Sequence, residues 1–249
     1  MESTPLFISG NSFGLKLVVF DPRRKLRTLL NDNIRHGIQS TDPALSREPL
    51  AYFHRSGPVG DVFAACPGPD AKARVAIIGL GVGAMACYAE PGQHFTFYEI
   101  DPAVAQIASD PQYFTFLAHC RGTYEIVLGD GRERLAEAPS RHYDLIILDA
   151  FTSDVIPTHL VSAEALELYL SKLADGGTLV FDISNVHTDF ESVLGKLAAQ
   201  AGLACLSRAD LDVSDQQRST GKLPSHYLAM GRSPQDLRKL ADKPGWKTV

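Results

Sequence analysis

Val75-Ala-Ile-Ile-Gly79-Leu-Gly81-Val-Gly83, followed by Phe95-Thr-Phe-Tyr-Glu99-Ile-Asp101, decides how this chain is read. The first stretch has the form of a buried strand running into a glycine-rich turn that opens a helix. The second has the form of a strand that ends in an acid. Glycines at such a turn let the backbone approach a ligand, because no Cβ intervenes. Glu99 follows Gly79 by twenty positions, the spacing at which a carboxylate reaches both hydroxyls of a ribose. The pattern predicts a site for a nucleoside-containing ligand, with Gly79, Gly81 and Gly83 in its turn.

The same alternation continues outward. Apolar runs at 74–79, 94–99, 124–128, 143–149 and 177–184 are expected strands. Their nearly unbroken apolar cores suit a parallel sheet covered on both faces. A helix is expected from Ser162, a suitable N-cap, to the stop at Gly176-Gly177. Another is expected over 189–200, then strands at 203–207 and 225–230. The intervening polar stretch from Arg208 to Lys222 reads as a loop. Upstream, Leu15–Phe20 and Leu26–Leu30 flank the turn Asp21-Pro-Arg-Arg-Lys25 and read as a hairpin. Residues 1–65 are therefore expected to form a small β-rich domain. Cys66-Pro-Gly-Pro-Asp70 is the linker, and 66–249 the α/β domain.

The composition bounds the function. The chain has 249 residues, an apolar fraction of 45% and a net charge of −5, enough for a sizeable core. Nucleic acid is not expected as a partner, since that needs a basic face. Cys66, Cys87, Cys120 and Cys205 are scattered without metal spacing, which predicts a reducing compartment and no disulfide. No apolar run reaches the ~18 residues of a membrane span. The start lacks the basic and apolar regions of a signal peptide. The chain is not expected to span a membrane itself, nor to hold a metal.

Three acids fall at the carboxyl ends of successive expected strands: Glu99, Asp130 in Gly129-Asp-Gly131, and Asp149 in Tyr143-Asp-Leu-Ile-Ile-Leu-Asp149. In an open parallel sheet that edge binds the ligand. Glu99 is read as a ribose acceptor, Asp130 as a reader of an adenine amino group, and Asp149 as the residue at the reacting end. An acid at a strand end also serves as an N-cap or turn former, so each has a purely structural alternative. Gly79-x-Gly81-x-x-Ala84 fits a dinucleotide fingerprint as well, but Asp130 and Asp149 are not required there. His36 reads either as a bridge to the ligand or as a packed turn residue, and His159 as structural. His187 follows another strand end and can face the cleft. Trp246 reads as a packing anchor.

Several pieces together resemble the spermidine synthase family, within the class of S-adenosylmethionine-dependent methyltransferase folds. They are Asn33-Ile-Arg-His36-Gly-Ile-Gln39, Glu48-Pro-Leu-Ala-Tyr52, Gly79-Leu-Gly-Val-Gly83, Tyr98-Glu99-Ile-Asp101-Pro102, Gly129-Asp130-Gly131 and Leu148-Asp149-Ala-Phe-Thr-Ser-Asp154. The run from Asp149 to Leu160 is most similar to the branch often fused to transporter-like membrane segments. The resemblance covers most of the chain. It implies a methyltransferase-like Rossmann domain with a small N-terminal β domain, a cytoplasmic location and a homodimer. It implies transfer of an aminopropyl group from decarboxylated S-adenosylmethionine to a di- or polyamine, with methylthioadenosine released. Gln39, Glu99, Asp130 and Gly131 would then hold the nucleoside. Asp149 would be the base, and Tyr52 and Asp154 would meet the amine.

Two features depart from the family pattern. The glycine turn carries Val82 where the family has an acid that grips the aminopropyl ammonium. The amine channel reads Tyr52-Phe53-His54 without the usual glutamate, and Asp154 stands five residues after Asp149 instead of three. The rival readings are use of intact S-adenosylmethionine, for methyl transfer or cleavage, and a non-catalytic nucleoside-binding regulatory domain.

Overall fold

The computed structural model describes residues 3–65, 73–151, 156–184 and 189–249. The expected linker at Cys66–Asp70 lies outside the described residues, as do Asp154 and His187. Two sheets make up the frame. Strands β1 (Thr4–Asn11), β2 (Gly14–Asp21), β3 (Leu26–Asn31) and β4 (Ile34–Ser40) form an antiparallel sheet in sequence order. The expected hairpin is its centre. Asp21 closes the β2–β3 turn by accepting the amides of Arg23 and Arg24 at 2.9 and 3.1 Å. Asp32 and Asn33, both at positive φ, make the tight β3–β4 turn. Strand β1 is mostly exposed and carries little apolar periodicity, so it escapes the sequence reading.

A helix, α1 (Pro58–Ala65), follows the small sheet, and its buried residues Val59, Val62 and Ala65 join the core of the larger one. The chain then runs through β5 (Arg74–Ile78), β6 (His94–Glu99), α2 (Pro102–Ser109), β7 (Thr123–Leu128), α3 (Gly131–Glu137) and β8 (Tyr143–Leu148). It continues through α4 (Ala163–Lys172), β9 (Leu173–Asp182), α5 (Phe190–Gln200), β10 (Ala204–Asp210), α6 (Asp215–Ser219), β11 (Ser225–Gly231), α7 (Arg238–Ala241) and β12 (Lys247–Thr248). The larger sheet has the order β12-β10-β11-β9-β8-β5-β6-β7. Strands β5 to β9 pair in parallel, and β11 enters antiparallel between β9 and β10. The chain builds outward from β5 to β7, then returns to lay β8 on the other side of β5. The order reverses at β5–β8, where α/β sheets bind ligands.

The central strands β5, β6, β8, β9 and β11 each serve two cores, which explains their nearly unbroken apolar runs, while the edge strand β7 is largely exposed. Ile77, Phe97, Ile147, Val180 and Ala229 face one layer, while Ile78, Tyr98, Leu148, Phe181 and Leu228 face the other. Full burial of each Val, Leu, Ile or Phe among them stabilises by about 1.5–3 kcal/mol. Two expectations shift. The helix after the glycine turn is only a five-residue 3₁₀ segment, Ala84–Tyr88. The Ser162-capped helix stops at Lys172, whose buried ammonium donates to the carbonyls of Ala136 and Ala138 at 2.8 and 2.6 Å. Strand β9 begins directly after it, and the Gly176-Gly177 pair lies where the β8–β9 register shifts.

A buried ion pair joins the two sheets. Lys16 of β2 is fully buried and pairs with Asp101, the N-cap of α2. Asn11 bridges them, donating to Asp101 at 2.6 Å and accepting from Lys16 at 2.7 Å. Trp246 packs in the core and its indole donates to Asp61 at 3.1 Å. Among the described residues, no helix is long and apolar enough to cross a membrane.

Candidate functional site

Strand register assembles the site. Ile78 pairs with Tyr98 on one side and Leu148 on the other, and Leu148 pairs with Phe181. One residue further along lie Glu99, Gly79, Asp149 and Asp182, and Tyr227 of β11 is registered with Asp182. These residues make one transverse row across five neighbouring strands, on the face that also carries Ile77, Phe97, Ile147 and Val180. Gly79 sits in the middle at φ +102°, and a Cβ there would collide with the Asp149 carbonyl oxygen. The glycine is what lets β5 end between two acid-bearing strands.

Above this row lies a cavity of about 720 Å³. Glu99, Asp130, Asp149 and Asp182 all line it, with Gly79, Gly81, Gly131, His159 and Ser184. The small sheet and the segment after it form the opposite wall through Asn11, Phe13, Arg35, His36 and Tyr52. The register of β3–β4 shifts between Leu29 and Leu30, opening a bulge at His36 directly over the glycine turn.

Each acid has a distinct setting. Glu99 is 7% exposed; its Oε2 accepts the Leu80 amide at 3.0 Å and its Oε1 the Asp101 amide at 2.9 Å. Burial raises its pKa, and these amides pull it back. Asp130 caps α3, its Oδ1 accepting the amides of Arg132 and Glu133 at 2.9 and 3.0 Å. Its Oδ2 lies 2.9 Å from His159 Nε2, and Arg132 holds the His159 carbonyl at 2.9 Å. The N-cap alternative for Asp130 is therefore also realised, beside its place on the cavity wall. Asp149 is half-buried, and burial together with Asp182 pushes its pKa well above the carboxylate range. Asp182 is 2% exposed, accepts the Ser184 amide at 2.8 Å, and is raised by burial to about 6. The buried Tyr227 phenol makes no well-formed hydrogen bond; burial and the adjacent acids raise its pKa.

The remaining sequence candidates divide. Tyr52 lines the cavity. Gln39 does not: its amide donates to the Ser46 carbonyl at 2.7 Å and to Thr115 Oγ1 at 2.8 Å, and accepts the Thr115 amide at 2.9 Å. That set ties β4 to the segment before β7. Gly83 stands at φ +77° against Leu117, away from the cavity wall. Asp154 and His187 are outside the described residues. Val82 is 1% exposed and packs against Gly37 of β4, so it adds no charge to the cavity. Among the described residues no group of three or more His, Cys, Asp or Glu could hold a metal ion. Sequence reading missed Asp182, although Thr178-Leu-Val-Phe-Asp182 repeats the signature of Leu145-Ile-Ile-Leu-Asp149, an apolar strand closed by an acid.

The strand order, the acid row and the small β-sheet together define a methyltransferase-like Rossmann protein with an N-terminal β-sheet. Comparisons with known proteins narrow this. No family model matches the chain. A polyamine aminopropyltransferase from Vibrio vulnificus is 38% identical over 112 residues, 43% of this chain and 36% of that protein. A probable polyamine aminopropyl transferase from Bifidobacterium longum is 28% identical over 164 residues, 64% of this chain and 34% of that protein. The chain thus matches only about a third of the length of these curated relatives. Spermidine synthase from Thermotoga maritima shares the fold at 16% identity and a TM-score of 0.63, over 94% of this chain and 75% of that one. A probable spermidine synthase from Corynebacterium glutamicum does so at 16% identity and a TM-score of 0.66, over 100% and 90%. A spermidine synthase in complex with the transition state analogue AdoDATO matches at 16% identity and a TM-score of 0.62, over 94% and 74%. In sequence the chain is similar to these aminopropyltransferases over part of their length, and in fold to the solved spermidine synthases.

Proposed function

We propose that the chain binds an adenosyl sulfonium compound in this cavity. We further propose that it transfers an aminopropyl group from decarboxylated S-adenosylmethionine to a di- or polyamine, releasing methylthioadenosine. The observation that carries the proposal is the gathering of Glu99, Asp130, Asp149 and Asp182 around one cavity at the switch point of the sheet. Such a wall favours cations, and both reactants are cationic. The names of the relatives support the same chemistry.

In this reading Glu99 accepts the ribose hydroxyls, since each of its oxygens keeps a lone pair after taking one amide. Asp130 receives the adenine amino group beside the Gly131 backbone. The sulfonium chain then points along the row toward Asp149. An alkylammonium cannot attack carbon until it loses a proton, and Asp149 accepts that proton as attack begins. Tyr52 lines the approach of the amine from the opposite wall. Holding the two reactants in line supplies much of the rate.

Intact S-adenosylmethionine is a second reading. It is favoured by Val82, which leaves the glycine turn without an acid for an aminopropyl ammonium, and by Arg35 on the cavity wall, which can meet a carboxylate. Calorimetry with decarboxylated S-adenosylmethionine, S-adenosylmethionine and methylthioadenosine ranks the ligands. Methylthioadenosine release is then followed with and without putrescine or spermidine. Amine-dependent release from the decarboxylated form is the expected result. Preference for the intact form, with release independent of amine, would replace the first reading by the second.

A further inference from the structure

Asp182 has no part in the step described above, yet it stands next to the group that does. The β8–β9 register sets Asp149 and Asp182 side by side on one face, and both carboxyls line the cavity. One Asp182 oxygen is committed to the Ser184 amide, and burial leaves the side chain little water to share. From β6 Glu99 adds a further negative charge, and from β11 Tyr227 presents a phenol. Asp130 on the cavity wall is engaged by His159. The basic groups that face the row, Arg35 and His36, come from β4 on the far wall. Two carboxyls so placed cannot both ionise without a cation, as in other acid dyads.

We propose that Asp149 and Asp182 act as a proton-sharing pair at the amine end of the cavity, with Asp182 the positioning residue that readies Asp149 for a cationic acceptor. This rests on the aminopropyl-transfer reading. In the free protein the pair holds one proton between two carboxyls. Entry of the acceptor as R–NH3⁺ displaces that proton to solvent, and two carboxylates then face two cations, the ammonium and the sulfonium. As attack begins, the ammonium returns one proton to the pair through Asp149. The nitrogen lone pair forms the bond to the methylene beside the sulfonium. The carbon–sulfur bond breaks, and its electron pair stays on sulfur as a neutral thioether. The product leaves as a secondary ammonium, the pair is back in its starting state, and one proton has been released per turnover.

Two measurements test this. Carbon-13 carboxyl titration of the free protein is expected to show Asp149 and Asp182 titrating as a coupled pair, with the Asp149 midpoint falling in Asp182→Asn. An Asp149 midpoint unmoved in that variant overturns the pair, whatever reaction the protein performs. Amine-dependent methylthioadenosine release in Asp182→Asn is expected to drop about 10²-fold, the lower end of general-base contributions. Its acid limb should move to lower pH, while Asp182→Glu recovers most of the rate. Methylthioadenosine affinity should stay within about twofold, which separates this role from a folding defect. Wild-type-like release with an unshifted pH profile in Asp182→Asn overturns the role given to Asp182. Absence of any amine-dependent release by the wild-type chain overturns the transfer reading itself, and that role with it.

Discussion

Replacing Asp182 by asparagine is expected to make the protein more stable at neutral pH, against the usual effect of a buried substitution. Burial raises this carboxyl from the ordinary 3.8 to about 6. Because its folded pKa lies above its unfolded one, its favourable contribution is complete below about pH 3.8 and is lost as the pH rises through about 6. Above that range the folded state carries an ionised carboxylate in a site that disfavours it. At 1.36 kcal/mol per pH unit the penalty is roughly 3 kcal/mol, an upper figure because Asp149 shares the proton. Asparagine keeps an oxygen for the Ser184 amide and carries no charge, so little is lost in exchange. A gain of about 1–3 kcal/mol is expected near pH 7.5, or a rise of roughly 2–12 °C in Tm for a chain of this size. The gain should shrink toward zero near pH 4. Urea unfolding of both proteins across that range measures it. Equal stability near pH 7.5, or a variant weaker by the same margin at every pH, would show that the row does not strain against its own charge.

Other expectations follow from the same geometry. Lys16→Ala leaves Asp101 buried without its cation and should cost about 3–5 kcal/mol, read as a lower urea midpoint; the double variant Lys16→Met, Asp101→Asn should cost less than the two single changes summed. Glu99→Gln offers one oxygen where two backbone amides now donate, and methylthioadenosine affinity by calorimetry should fall by about 1–3 kcal/mol; unchanged affinity would refute the ribose assignment. Gly79→Ala forces a methyl against the Asp149 carbonyl at a positive φ, and should abolish nucleoside binding while lowering stability by about 2 kcal/mol or more. His159→Ala breaks a half-exposed pair with Asp130 and should change stability by less than about 1 kcal/mol.

Much of the large sheet was legible because its physics is local. A strand covered on both faces is apolar along most of its length, and 94–99, 143–149 and 225–230 announce themselves by such a core. Helix α4 was legible at its start, where the Ser162 hydroxyl accepts the Ala165 amide at 3.2 Å, but not at its end. Its last residue, Lys172, is held by the carbonyls of Ala136 and Ala138, more than thirty residues away. Gln39 shows the same limit. The family resemblance implies a ligand contact for it, while the bonds its amide makes to Thr115 and Ser46 come from outside any local window.

The acids make the point most sharply. Glu99, Asp149 and Asp182 each close an apolar strand, and by local pattern the three are alike. Strand order separates them. Glu99 ends beside the glycine turn and the start of α2, where two backbone amides meet its oxygens. Asp149 and Asp182 end on adjacent strands, and the antiparallel insertion of β11 brings a phenol, not a base, to the far side of the second. Amides lower a carboxyl's pKa against the effect of burial, while a neighbouring carboxyl raises that of Asp149 further. Which of these acids meets backbone amides and which meets a second acid is thus decided by which strands are neighbours.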